Sequence, residues 1–194
     1  MLLNYYNQFY NSILNKKNFK ISPKFNPLFI DPLKTYSGVL VIIHFPQNIP
    51  TFLFTKRSLI LKNHAGEISF PGGKFSKSDK SFLDTAIRET SEEIGITINK
   101  NQVIGCLNPV YTYTSNILVY PYVALREKIT EKLYPNLEVE EIINIPMEQL
   151  KTSIFKDEQY STINNMNVKF VLERYTIWGA TAKILKELLD VLMQ

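Results

Sequence analysis

Between Gly66 and Ile96 the chain reads GEISFPGGKFSKSDKSFLDTAIRETSEEIGI, and no other stretch restricts the fold so tightly. Its second half has complete helix punctuation: Ser81 as N-cap with Asp84 three residues on, apolar Leu83, Ala86, Ile87 and Ile94, and Gly95 as terminator. The opposite face of that helix carries Glu89, Glu92 and Glu93. Placed at i, i+3 and i+4 they project side by side within about one turn, where like charges repel by a few tenths of a kcal/mol per pair. Such an array calls for a cation. An all-oxygen donor set on a rigid helix suits a hard divalent ion, Mg²⁺ or Mn²⁺, better than zinc, which prefers nitrogen and sulfur.

The flanking sequence supplies a scaffold for that helix. Gly38 to Phe45 (GVLVIIHF) and Thr51 to Thr55 (TFLFT) are near-continuous apolar runs separated by Pro46 and Pro50, and they predict paired strands buried in a sheet. His44 reads as a strand-end residue, since no second His or Cys stands at metal spacing. Val103 to Val110 and Ile117 to Leu125 predict two more strands, around a Tyr111-Thr112-Tyr113-Thr114-Ser115-Asn116 connection whose tyrosines could stack on a ligand base or shield a sheet edge. Val168 to Tyr175 predicts a last strand, and Gly179 to Met193 a helix with Ile184, Leu185, Leu188 and Leu192 on one stripe. In residues 1 to 34, Leu3, Tyr6, Phe9, Tyr10 and Leu14 fall loosely at helical spacing before Pro23, Pro27 and Pro32, so a short helix and an irregular linker are expected. The pattern predicts an α/β (α+β) unit with a mixed β-sheet sandwiched between helices.

Composition narrows the partners. The 194 residues are 45% hydrophobic and 21% charged, ordinary values for one globular domain with a terminal extension. A net charge of +4 favours a small anionic ligand in a cleft over a nucleic acid, and Lys16, Lys17 and Lys20 read as a solvated face. The first twenty residues lack an unbroken apolar core of the secretory kind, and no segment approaches the ~18 apolar residues of a membrane span. A single cysteine, Cys106, excludes an internal disulfide and fits a reducing compartment, so a cytoplasmic location is expected. Monomer and homodimer both remain open.

Arg88 to Ile96 (RETSEEIGI) resembles the second half of the Nudix box, whose pattern is Gly, five residues, Glu, seven residues, then Arg-Glu-U-x-Glu-Glu-x-Gly-U with U apolar. Here Gly73 is followed by five residues and Asp79, eight residues rather than seven precede Arg88, and Thr90 fills the first apolar slot. The longer spacing is associated with the coenzyme A diphosphatase branch. Leu53-Phe54-Thr55-Lys56-Arg57-Ser58, then Lys62, Gly66 and Phe70-Pro71-Gly72-Gly73, is similar to that branch's signature, with Phe54 in place of a smaller aliphatic and Lys62 in place of Arg. Ile177-Trp178-Gly179-Ala180-Thr181-Ala182 is similar to a third segment of the branch, in which Trp178 reads as packing the helix start onto the sheet. Pro135 to Glu141 and Ile145 to Leu150 resemble segments that follow the box in many members, and Glu138 is the acidic residue there chosen to lie near the metals.

The resemblance implies a Nudix fold, with residues 1–36 as N-terminal helical extension and linker and 37–194 as the hydrolase domain. It implies metal-dependent hydrolysis of the diphosphate of coenzyme A or acyl-coenzyme A to 3′,5′-ADP and 4′-phosphopantetheine. Glu89, Glu92 and Glu93 would bind Mg²⁺ or Mn²⁺ together with the Gly72 carbonyl, the Gly72-Gly73 pair allowing close backbone approach. Arg88 would orient Glu89 through a charge-assisted bond. Arg57, Lys62, Lys74 and Gly73 would bind substrate, with Lys56 completing a basic rim, while Asp79 and His64 are further candidates. The alternatives are hydrolysis of another nucleoside diphosphate derivative, such as ADP-ribose, NADH or an oxidised deoxynucleoside triphosphate, and a non-catalytic nucleotide-binding module.

Overall fold

A computed structural model describes residues 5–14, 31, 33–112, 115–156 and 168–193. In chain order these form helix α1 (Tyr5–Leu14), strands β1 (Thr35–His44), β2 (Thr51–Arg57), β3 (Ile68–Ser69) and β4 (Gly72–Lys74), and helix α2 (Phe82–Ile94). Strands β5 (Val103–Cys106), β6 (Val110–Thr112), β7 (Ile117–Arg126) and β8 (Val139–Pro146) follow. The chain continues through helix α3 (Met147–Thr152), strands β9 (Ile154–Lys156), β10 (Val168–Val171) and β11 (Thr176–Ile177), and helix α4 (Gly179–Met193).

β1 is the axis of the sheet. It pairs antiparallel with β2, Ile42 opposite Leu53, antiparallel with β4, Gly38 opposite Gly73, and parallel with β7 along its whole length. β3 and β8 pair with β2, and β5 and β6 with β7, which completes an eight-stranded mixed sheet. β9, β10 and β11 form a separate three-stranded antiparallel sheet. Successive β1 side chains point to opposite faces: Val41 and Ile43 join a core with Ile13 of α1, Phe170 of β10 and the apolar stripe of α4, while Leu40 and Ile42 join a core with Phe82, Ala86 and Ile94 of α2. All four strand residues are fully buried, each contributing about 1.5–3 kcal/mol, and this two-sided burial explains why the run is continuous rather than alternating. The fold is thus the expected mixed sheet between helices. No helix among the described residues is long and apolar enough to cross a membrane.

The structure revises several details of the sequence reading. The strand expected over Val103 to Val110 is two strands, β5 and β6, interrupted before Pro109, whose ring cannot donate to a ladder. Val168 to Tyr175 is not one strand but enters a hairpin, with Phe170 opposite Ile177. β8 has no clear alternation, because Glu140, Glu141 and Asn144 interrupt it, yet it pairs with β2 over Thr51 to Arg57. Trp178 does not pack the helix start onto the sheet: it is 44% exposed, and the neighbouring Ile177 is the buried residue. The expected N-terminal helix is α1, whose Tyr6 and Phe9 pack edge-on against Phe45. The linker after it, and Tyr113 of the β6–β7 connection, lie outside the described residues. His44 is a buried strand-end residue whose Nε2 lies 2.8 Å from Asn144 Oδ1.

Candidate active site

Three backbones meet with almost no space between them, and glycine makes this possible. A Cβ on Gly38 would stand 2.1 Å from the Phe82 carbonyl oxygen, so α2 rests directly on β1. Gly72, at φ 143°, would place a Cβ 2.3 Å from the Gly38 carbonyl oxygen, so β4 rests on β1 from the side. The Pro-Gly-Gly turn and the acidic face of α2 are thereby pressed together. α2 itself has the punctuation read from the sequence: the Ser81 hydroxyl accepts from the Asp84 amide, and Gly95 closes the helix in the left-handed region at φ 76°.

Glu93 points inward. It is 6% exposed, and its Oε2 accepts from the Gly72 amide at 3.0 Å. Burial, aided by the charges of Glu89 and Glu138, outweighs that hydrogen bond and the nearby Arg57, and pushes its carboxyl up to about 7. Glu89 is half-buried and its pKa is likewise raised, by desolvation first, against the pull of Arg88. Its Oε2 lies 2.4 Å from where a Gly73 Cβ would be, so only a glycine leaves the carboxylate its position. Glu92 is more exposed and accepts from Arg88 Nη1 at 3.0 Å.

Arg88 is the hub of this cluster. Its Nη1 donates to Glu89 Oε1 at 2.9 Å as well as to Glu92, and its Nε and Nη2 grip both oxygens of Asp79 at 2.9 Å each. Arg88 thus meets Glu89 through a charge-assisted bond. The anchoring by Asp79 was not foreseen. Its side chain is 4% exposed and also accepts from the Ser76 amide and the Thr85 hydroxyl, and the Arg88 guanidinium holds its carboxyl down to about 2.

The other candidates fall at graded distances from this centre. Arg57 and Glu138 both act electrostatically on Glu93, and Arg57 Nη2 stands 4.0 Å from Glu138 Oε2. Arg57 Nε is buried without a hydrogen-bond partner. Lys62 and Lys74 are exposed, the Lys74 carbonyl accepting from Arg88 Nη2 at 3.3 Å. His64 Nδ1 is 3.0 Å from Glu67 Oε1 at the surface. Lys56 leaves the proposed rim: strand alternation sends it to the other face of the sheet, where its Nζ donates to Glu140 at 2.7 Å. Ser37 was missed; its hydroxyl donates to the Gly73 carbonyl at 2.7 Å and fixes the turn.

Among the described residues no group of three or more His, Cys, Asp or Glu is gathered closely enough to hold a metal ion. Glu93 faces Gly72, whereas Glu89 and Glu92 face Arg88. The donor set nevertheless fits a hard divalent ion. Two carboxyls of α2 are held away from water at raised pKa, an arrangement that a cation would relieve, and every donor on that face is oxygen.

The family model of the NUDIX domain matches residues 34–165. A Nudix hydrolase of Pectobacterium atrosepticum, called NudL and itself uncharacterised, is 31% identical over 184 residues, 92% of each chain. The mitochondrial coenzyme A diphosphatase NUDT8 of mouse is 36% identical over 116 residues, covering 59% of this chain and 55% of its own. Among solved structures, a MutT/nudix family protein from Enterococcus faecalis superposes with a TM-score of 0.60 at 13% identity, over 100% of this chain and 71% of that one, a likeness of fold alone.

Proposed function

The chain belongs to the Nudix family of hydrolases acting on pyrophosphate bonds, and from that premise we propose that its substrate is coenzyme A or an acyl derivative, cut at the diphosphate to 3′,5′-ADP and 4′-phosphopantetheine. The observation that carries this reading is the 36% identity to a coenzyme A diphosphatase. The site supports it: Arg57, from the segment similar to that branch's signature, comes to the same place as Glu93.

Family members generally need divalent metal ions, and the proposed holders here are Glu89, Glu92, Glu93 and the Gly72 carbonyl, with Mg²⁺ or Mn²⁺ as the ion. When bound, such an ion neutralises phosphate oxygens and brings the pKa of water toward neutrality. The rest falls to the chain's own residues. Asp79 fixes Arg88, and Arg88 steers Glu89 and Glu92. Gly73 leaves Glu89 room to approach. Arg57, whose side chain is partly exposed beside Glu138, would donate from its guanidinium to a phosphate oxygen, a charge-assisted bond worth about 1.5–3 kcal/mol, and Lys62 and Lys74 attract the anion from the rim. Glu138 and His64 stand at the edge, without a direct role in this scheme. A cytoplasmic location, in a monomer or homodimer, belongs to the same proposal.

The test is a panel of coenzyme A, dephospho-coenzyme A, ADP-ribose, NADH and 8-oxo-dGTP assayed with Mg²⁺ and with Mn²⁺. Highest kcat/KM on coenzyme A is expected. A tenfold preference for ADP-ribose, about 1.4 kcal/mol in the barrier, would overturn the substrate. Binding without product in the presence of either metal would favour a non-catalytic module.

A further inference from the structure

The loop that leaves β2 and the loop that enters β8 are joined beside the site. The Ser58 amide donates to the Glu138 carbonyl at 2.8 Å, one step beyond the pairing of Arg57 with Val139. The residues just behind this bond, Arg57 and Glu138, are ion-paired at 4.0 Å, and the charges of both reach the Glu93 carboxyl. The residues just beyond it are aliphatic and exposed: Leu59 at 68%, Ile60 at 74% and Leu137 at 84%. A single exposed leucine needs no explanation, but here three branched aliphatic residues stand exposed on two loops tied together by the Ser58–Glu138 bond, within two residues of Arg57 or Glu138 or, for Ile60, three.

We propose that Leu59, Ile60 and Leu137 form an apolar shelf that receives the aliphatic arm of the substrate next to the diphosphate, and thereby select a pantetheine-bearing diphosphate over one that carries a sugar on both sides. This rests on the coenzyme A reading above and extends it to Leu59 and Ile60, at positions that the branch-like signature leaves unspecified, and to Leu137 on the neighbouring loop. In coenzyme A the carbon attached to the diphosphate oxygen bears a quaternary centre with two methyl groups, and Leu59 follows Arg57 by two residues. In ADP-ribose the same position is a ribose, whose hydroxyls would lose water against side chains that offer no hydrogen bond in return. The gain is roughly fourfold in affinity per methyl-sized group fully withdrawn from water, so two methyls partly covered give on the order of tenfold.

The experiment uses the full chain, the double variant Leu59→Asn/Ile60→Asn and the single variant Leu137→Asn. These sites are exposed, so folding is checked simply by an unchanged thermal transition. Two readouts are taken: the ratio of kcat/KM for coenzyme A to that for ADP-ribose, and inhibition by each half of coenzyme A separately. The expected result is a fall of about tenfold in the ratio, with 4′-phosphopantetheine inhibiting about tenfold more weakly and 3′,5′-ADP changed by less than twofold. If coenzyme A is cleaved but the variants keep the ratio, or weaken 3′,5′-ADP instead, the shelf is wrong and the substrate stands. If coenzyme A is not cleaved by the unaltered protein, both are overturned.

Discussion

Glu93 sets stability against function in a way that can be measured. An unfolded chain ionises this carboxyl near 4.5, whereas burial in the folded protein raises it to about 7. The native state therefore holds a proton that the unfolded state has lost, and stability, fully present below about pH 4.5, falls as pH rises through about 7. The difference, 7 minus 4.5, is about 2.5 pH units, which at 1.36 kcal/mol each amounts to about 3 kcal/mol. Glu93→Gln keeps the size of the side chain and an oxygen to accept the Gly72 amide, but cannot ionise. In EDTA, then, the variant should match or trail the wild type at pH 4.5 and exceed it by about 3 kcal/mol at pH 8, while losing turnover by orders of magnitude in the presence of metal. Urea denaturation at the two pH values, with m held common, reads this out as opposite or sharply different shifts of the midpoint. A stability difference between variant and wild type that does not change with pH would refute the reasoning, because it would mean that Glu93 is solvated in the folded chain.

Three further outcomes follow from single contacts. Asp79→Asn should cost about 2 kcal/mol at pH 7, since a carboxyl held at about 2 rather than 3.8 contributes stability that is present above 3.8 and lost as pH falls toward 2; acid unfolding of variant and wild type should converge there. Thr90→Val should raise stability by about 1 kcal/mol in chemical denaturation, because the Thr90 hydroxyl is buried with no hydrogen-bond partner. Gly73→Ala should leave the fold intact and depress kcat, its Cβ displacing the flexible end of Glu89, whereas Gly38→Ala should lower the melting temperature steeply, since its Cβ would strike the Phe82 backbone; equal thermal shifts in the two would contradict this.

What could be read from the sequence was what local chemistry decides. Ser81 and Gly95 bound α2 because an N-cap hydroxyl and a left-handed glycine act within one turn, and Gly38 to Phe45 announced a doubly buried strand by its unbroken apolar run. β8 escaped notice because its exposed edge is polar and its register is set by β2, some ninety residues earlier in the chain. Trp178 was misread for a related reason: an aromatic residue at a strand–helix junction suggests packing, but the hairpin register of Phe170 with Ile177 gives the inward position to the isoleucine and turns the tryptophan outward. Lys56 and Arg57 are adjacent in the sequence and alike in charge, yet alternation puts them on opposite faces, so a basic rim counted along the chain was one residue too rich.

The eight-residue spacing between Asp79 and Arg88 has a structural meaning that a motif comparison alone would hide. A residue added to a loop does not have to move the groups at its ends if the loop closes on itself, and this one does: the Asp79 amide donates to the Ser76 carbonyl while Asp79 Oδ2 accepts from the Ser76 amide. The carboxylate is thereby returned to the N-terminal half of α2, where Thr85 and Arg88, one turn apart on the same face, both reach it. There both of its oxygens accept from Arg88, and a short aspartate suffices because the loop brings the backbone close. The cost of removing it would then appear twice, as lost stability at neutral pH and as looser placement of Glu89 and Glu92, both of which accept from Arg88, Glu89 lying in the space that Gly73 leaves it.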